Sequence, residues 1–117
     1  MAQAAIKARQ EPAPAVAGTA IDRAHLARMT FGEAALEREL LELFDRQAEI
    51  LVARIAQSDA GTAAALAHTL KGSATGIGAA EVAAAAAEIE AAPTAERLGA
   101  LTAAVARTRA EIAVILR

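Results

Sequence analysis

Apolar residues recur at helical spacing through successive segments of this 117-residue chain. The longest stripe, in residues 33–57, has near-heptad spacing and consists of Leu36, Leu40, Leu43, Phe44, Leu51 and Ile55. Three further stripes follow. The first ends at Ile77 and consists of Leu66, Leu70, Ala74 and Ile77. The second lies in residues 79–91 and consists of Val82, Ala86 and Ile89, and the third lies in residues 95–116 and consists of Leu98, Leu101, Val105, Ile112 and Ile115. No segment alternates apolar and polar residues, so the pattern predicts helices without strands.

Capping residues indicate where these helices begin. The segment 19–22 offers a start for a short helix that runs to Met29, ahead of the four apolar stripes. Thr30 and Glu33 have the capping-box form, with a hydroxyl at the cap and a carboxylate three residues later. Ser58 and Asp59 provide the next cap, before a helix that carries residues 60 to about 76.

The last two helices are bounded in the same way. Gly76 and Gly78 suit a helix end in the left-handed conformation. Pro93 breaks the helix over residues 79–91, and Thr94 caps the final one. Because the connections are short, neighbouring helices are expected to run antiparallel. The predicted fold is all-α: an antiparallel up-down four-helix bundle with a short additional N-terminal helix.

One domain accounts for this pattern. Residues 19–117 form the bundle, and residues 1–18, with Pro12, Pro14 and Gly18, are expected to be a flexible leader or linker. A single complete bundle predicts a monomer. The initiating Met1 and an end within a turn of the last helix favour a free-standing protein over a piece of a longer chain.

Composition narrows the possible functions. The chain is 56% hydrophobic, with much of that alanine, and its aromatic residues are Phe31 and Phe44 alone. With a net charge of −2 it has neither the basic excess nor the aromatic platforms that nucleic-acid binding requires, so DNA-binding and other nucleic-acid roles are disfavoured. No apolar run reaches the roughly 20 residues that span a bilayer. Without cysteine there are no disulfides. A cytoplasmic protein without membrane association is expected.

The most informative segment is residues 67–74, which carries His68 inside an otherwise apolar helix. At about 100° per residue, His68, Lys71 and Gly72 lie opposite the stripe that the bundle buries. Imidazole is nucleophilic near neutral pH and forms a labile bond to phosphorus. Lys71 brings positive charge to a phosphoryl group, and Gly72 leaves the ring accessible. The alternative is a surface or core histidine without a task, which is the interpretation we give His25.

The run His68-Thr69-Leu70-Lys71-Gly72-Ser73-Ala74, followed by Gly78, resembles the signature of the histidine-containing phosphotransfer domains of phosphorelays. The likeness extends to the order of helices from Ile21 to the C-terminus. It implies that His68 accepts a phosphoryl group from the aspartate of a receiver domain and passes it to another. Lys71 is then the cationic residue near the phosphoryl group, and Gly72 is the steric opening.

The same resemblance implies a role for Glu90. Family members often place a polar residue there that supports the imidazole, and a carboxylate would accept the Nδ1 proton and leave Nε2 as the nucleophile. An ordinary solvated glutamate is the alternative. The chain has no ATP-binding domain, nucleotide loop or receiver domain of its own, so a carrier without kinase activity is expected. No cofactor is expected in the chain itself; Mg²⁺ belongs to the partner receiver.

Rival interpretations remain open at this stage. The domain is alternatively the phospho-accepting part of a chemotaxis-type histidine kinase. From a different class, a passive helical adaptor would bind a partner without chemistry and would tolerate replacement of His68. A metal-binding bundle is weaker, because His25 and His68 supply no ligand set with the spacing of a helical metal site.

Overall fold

The structure, a computed structural model, describes residues 20–117. Its helices, in chain order, are α1 (Arg23–Met29), α2 (Ala34–Ala56), α3 (Ala60–Ile77), α4 (Ala80–Ala91) and α5 (Ala95–Ile115). No strand occurs within residues 20–117. The all-α prediction is confirmed. The leader predicted at residues 1–18 lies outside the described residues.

The four longer helices form a closed bundle. Each of α2, α3 and α4 packs against the helix that follows it, α5 packs back against α2, and α1 packs against α3. The connections between the bundle helices are only two or three residues long, which forces consecutive helices to run antiparallel. The chain therefore adopts the predicted up-down bundle with a short N-terminal helix.

Small residues determine how closely α3 and α4 approach. This pair packs most extensively in the bundle, and alanines fill much of the space between the helices and the core: Ala63, Ala67, Ala74, Ala79 and Ala86 are all buried. The larger side chains that complete the core and are fully buried are Leu26, Leu41, Leu70, Val82, Ile89, Leu101 and Ile112. Close packing of α3 against α4 brings side chains on their outer edges within reach of each other.

The rotation of α2 differs from the prediction. Leu43, expected in the apolar stripe, is 55% exposed, and Leu41 is buried in its place. The buried residues of α2 recur every three or four positions and define its core side: Leu41, Phe44, Ala48, Leu51 and Ile55. On one edge of that side, Asp45 accepts a hydrogen bond from Arg109 Nε of α5 at 2.8 Å. With Asp45 turned toward α5, a residue two positions earlier is turned by about 200° away from that contact. The rotation places Leu43 in solvent.

The capping box predicted at Thr30 and Glu33 is wrong. Thr30 ends α1, and its buried hydroxyl donates to the carbonyl oxygen of Leu26 at 2.9 Å. The chain then turns through Phe31 and Gly32, whose φ values are 56° and 75°. Glu33 is the N-cap of α2 and makes no side-chain capping hydrogen bond. The N–H of Glu33 donates to the backbone carbonyl of Thr30 at 3.0 Å, and not to its hydroxyl, so Thr30 closes the preceding helix and does not cap the next one.

The other predicted helix boundaries agree with the structure. Asp22, Asp59 and Thr94 each accept a hydrogen bond from the backbone N–H three residues later, at 3.0, 2.8 and 3.2 Å. Gly78 ends α3 with a φ of 82°. Gly76, the other glycine proposed for this end, stays within α3 and has no positive φ.

Candidate functional site

His68 lies near the middle of α3 and points away from the core. Its side chain is 70% exposed, whereas Ala67, Leu70 and Ala74 of the same helix are buried completely. This is the outward placement that the apolar periodicity predicts. A partner can therefore reach the imidazole without any rearrangement of the bundle.

Glu90 of α4 contacts this imidazole at Nδ1. His68 Nδ1 lies 2.8 Å from Glu90 Oε2, which the antiparallel packing of α3 and α4 brings alongside. The pKa of Glu90 is lowered, first by its contact with Lys71 and then by its contact with His68. Because the carboxylate is ionised at neutral pH, it only accepts hydrogen bonds, so Nδ1 carries the hydrogen and donates it. In this tautomer Nε2 has the free lone pair, on a side chain that is 70% exposed.

Lys71 shares the same carboxylate. Its Nζ lies 2.7 Å from Glu90 Oε1, so each oxygen of Glu90 faces a different partner. The side chain of Lys71 is 36% exposed and that of Glu90 is 25% exposed. The structure thus brings together three of the four predicted site residues in one polar cluster on the surface.

Gly72, the fourth predicted residue, belongs to the same exposed surface of α3 but makes no polar contact. A Cβ atom built on it meets no atom within 4 Å, which means that its surroundings are open. Gly61 and Ala65 of α3 are exposed as well. The side chains around His68 on the outer surface of α3 are consequently small, and the surface there is flat.

The sequence analysis missed an apolar surface on α2. Leu43 and Ile50 are 55% and 57% exposed, and with Arg46, Gln47 and the edge of Leu51 they line a shallow depression. Every residue that lines this depression belongs to α2, and Asp45 marks the opposite edge of the helix, which faces α5. The signal in the sequence was the seven-residue interval between these two residues, which repeats the interval from Leu36.

His25 is separate from this cluster. It lies half-buried on α1, and its backbone N–H donates to the capping carboxylate of Asp22. Within residues 20–117, no hydrogen bond or ion pair joins it to His68, Lys71 or Glu90. This placement agrees with the interpretation of His25 as a structural residue.

Comparison with known protein families identifies the chain. The family described as Hpt domain matches residues 34–111, a range that contains α2, α3, α4 and most of α5 together with His68, Lys71, Gly72 and Glu90. The chain therefore belongs to the Hpt domain family. Comparison with curated proteins and with solved structures gave no significant match.

Membership of this family defines the class of function. Hpt domains are histidine carriers in the phosphorelays of two-component signalling, and they interact with receiver domains. As a class they transfer phosphoryl groups without kinase activity. In the part of the chain that the structure describes, no helix is long and apolar enough to cross a bilayer. The same residues contain no group of three or more histidine or carboxylate side chains arranged to hold a metal ion.

Proposed function

We propose that His68 accepts a phosphoryl group from the aspartate of one receiver domain and donates it to the aspartate of another. The observation that carries this proposal is the hydrogen bond from Nδ1 to Glu90, at 2.8 Å on an otherwise exposed ring. It directs the nucleophilic lone pair of Nε2 outward, where a second protein can present its phosphoryl group.

The transfer is a displacement at phosphorus. The Nε2 lone pair of His68 forms the new N–P bond while the P–O bond to the receiver aspartate breaks, and the aspartate leaves as a carboxylate. The neutral ring becomes positively charged, and Glu90 faces that charge at Nδ1. Lys71 supplies positive charge for the phosphoryl oxygens. Transfer to the second receiver reverses these steps. Mg²⁺ is contributed by the receiver domain, and this chain contributes no cofactor.

The proposed docking surface comprises the exposed surface of α3 around His68 and Gly72 together with Leu43 and Ile50 on α2. An open, flat surface next to a nucleophile lets the rim of a receiver's acidic site approach the ring. The adjacent apolar side chains provide the contact area that a transient complex needs. One bundle with its own complete core acts as a monomer in this scheme.

Replacement of His68 tests the proposal. His68→Gln is expected to abolish uptake of acid-labile, alkali-stable phosphate from phosphorylated receivers, while its melting temperature stays close to that of the wild type. The side chain is exposed, so its replacement creates no cavity. His25→Gln is the matched control because it removes the other histidine of the chain, and it is expected to be labelled normally.

Two results would contradict the proposal. A folded His68→Gln protein that still takes up such phosphate would remove His68 as the acceptor. A wild-type protein that binds receivers but is never labelled by them would instead identify a passive helical adaptor. Receivers that label the protein, and receivers that remove the label, together establish the direction of transfer.

A further inference from the structure

A single carboxylate serves both chemical groups of the site. Glu90 Oε2 lies 2.8 Å from His68 Nδ1, and Glu90 Oε1 lies 2.7 Å from Lys71 Nζ. In the unphosphorylated domain, the ammonium group is therefore already neutralised. It is held on the Nδ1 side of the ring, whereas a phosphoryl group would be attached to Nε2.

Phosphorylation changes the charges around Lys71. Before it, the cluster contains an imidazole with its hydrogen on Nδ1, one carboxylate and one ammonium group. Afterwards a phosphoryl group with two negative charges is present, and the ring carries a positive charge that Glu90 also faces through Nδ1. A lysine side chain is flexible, and a residue three positions along a helix lies on the same surface as His68. The ammonium group of Lys71 therefore interacts more strongly with the phosphoryl dianion than with Glu90, which by then also faces the positively charged ring.

We propose that Lys71 exchanges partners: Glu90 holds it in the unphosphorylated domain, and it moves to the phosphoryl oxygens when His68 is phosphorylated. This inference rests on the proposed role of His68 as the acceptor. Glu90 is then a positioning residue with two effects, since it keeps the hydrogen on Nδ1 and competes with the phosphoryl group for Lys71. Phosphorylation requires the contact between Glu90 and Lys71 to break, which reduces the free energy gained on phosphorylation. The phosphoryl group is therefore easier to transfer to the next receiver.

Nuclear magnetic resonance of the wild-type chain tests the exchange directly. Phosphoramidate, a small phosphoryl donor, is used to phosphorylate the protein without a receiver, and the ¹⁵N signals of the Lys71 ammonium group and the His68 ring are followed. We expect the Lys71 signal to change on phosphorylation, and we expect the hydrogen to stay on Nδ1 in the unphosphorylated state. An unchanged Lys71 signal in a protein shown to carry phosphate on His68 would overturn the inference.

Glu90→Gln separates the two effects of Glu90. The amide oxygen still accepts the hydrogen bond from Nδ1, but a neutral amide no longer forms an ion pair with Lys71. Loss of this ion pair favours the phosphorylated domain by about two- to fivefold in the equilibrium with a receiver, the range expected for a partly exposed pair, whereas loss of the carboxylate that faces the charged ring favours the unphosphorylated domain. Because the altered carboxylate is at the surface, we expect the variant to fold normally, and its melting curve checks this.

The Lys71→Met background provides the decisive comparison. Removing the charge of Glu90 also acts directly on the phosphoryl group and on the charged ring, and those effects persist when Lys71 is absent. Under partner exchange, Glu90→Gln therefore moves the equilibrium further toward the phosphorylated domain in the wild type than in Lys71→Met. Equal shifts in the two backgrounds would overturn the inference. Failure of phosphoramidate and receivers alike to phosphorylate His68 would instead contradict the proposed function itself.

Discussion

Leu43 and Ile50 lie two helical turns apart on the same edge of α2, and more than half of each side chain is exposed to solvent. Core residues flank them: Leu41, Phe44 and Leu51 of the same helix are buried. An apolar pair left outside a core that is already filled is not explained by the stability of the bundle. In the proposed function, this pair forms part of the docking surface for a receiver.

Polar substitution of this pair should weaken the interaction with receivers. We expect Leu43→Gln and Ile50→Gln each to change the free energy of unfolding by less than about 0.5 kcal/mol, because the side chains are largely solvated. Combined, they should slow phosphoryl transfer from a receiver at least about fivefold. Stopped-flow or quenched labelling measures that rate.

A matched control is available on α5. Val114 is 54% exposed, so Val114→Gln makes the same kind of change elsewhere on the surface and should leave transfer unaltered. Labelling by phosphoramidate, which needs no docking, should also be normal in the α2 variants. A receiver-dependent rate equal to that of the wild type would show that Leu43 and Ile50 do not contact the receiver.

Lys71→Ala tests the charge next to the phosphoryl group. We expect transfer to slow by about tenfold and its equilibrium to shift, without loss of labelling, because the ammonium group stabilises charge while the bond forms to imidazole. Arg107→Ala on α5 is the control, since Arg107 also forms a surface ion pair, but with Glu81, nine residues before Glu90 on α4. Rates near those of the wild type at both low and high salt would make Lys71 an ordinary surface residue.

Gly76 and Gly78, at the C-terminal end of α3, should respond oppositely to replacement by alanine. Gly78 has a φ of 82°, and a Cβ there would lie 2.9 Å from the carbonyl oxygen of Asp22, so Gly78→Ala should lower the free energy of unfolding by at least about 1 kcal/mol. Gly76 lies within α3 with open space around it, so Gly76→Ala should raise that free energy by up to about 1 kcal/mol. Thermal or urea unfolding measures both. A neutral Gly78→Ala would mean that α1 does not pack against this turn.

The fold was predictable because helix periodicity and caps agree along most of the chain. Asp59 and Thr94 each act as the predicted cap, and Gly78 ends α3 in the left-handed conformation. Local sequence was insufficient at the start of α2. From the sequence, Thr30 is able to end α1 or to begin α2. The packing of α1, which buries Leu26, makes it the C-cap of α1.

The site was predictable to a different degree on each helix. The placement of His68 and Lys71 follows from periodicity within α3 alone. Contact with Glu90 depends on the register between α3 and α4, which the sequence supplies only through family resemblance. The exposure of Leu43 follows from the burial of Leu41 and Ala48 on α2, which a stripe of the largest apolar residues does not indicate.

Gly72 gives the sharpest test of the docking surface, because stability and transfer should change independently. A Cβ at this position meets no atom within 4 Å and φ is not positive, so Gly72→Ala should hold or raise the free energy of unfolding, by up to about 1 kcal/mol. Gly72→Gln should also fold, yet its side chain lies one helical turn from His68 and obstructs an incoming receiver. Transfer from a receiver should therefore lose most of its rate.

Gly99→Gln is the matched control for this last substitution, because Gly99 is an exposed helical glycine of α5 with equally open surroundings. It should fold and transfer normally. Rapid transfer in a folded Gly72→Gln protein would refute the steric role of Gly72, since the added side chain would then lie in the path of the receiver without effect. An unfolded Gly72→Gln protein would mean that this surface of α3 is packed against another element, and that His68 is not presented to partners in the way described.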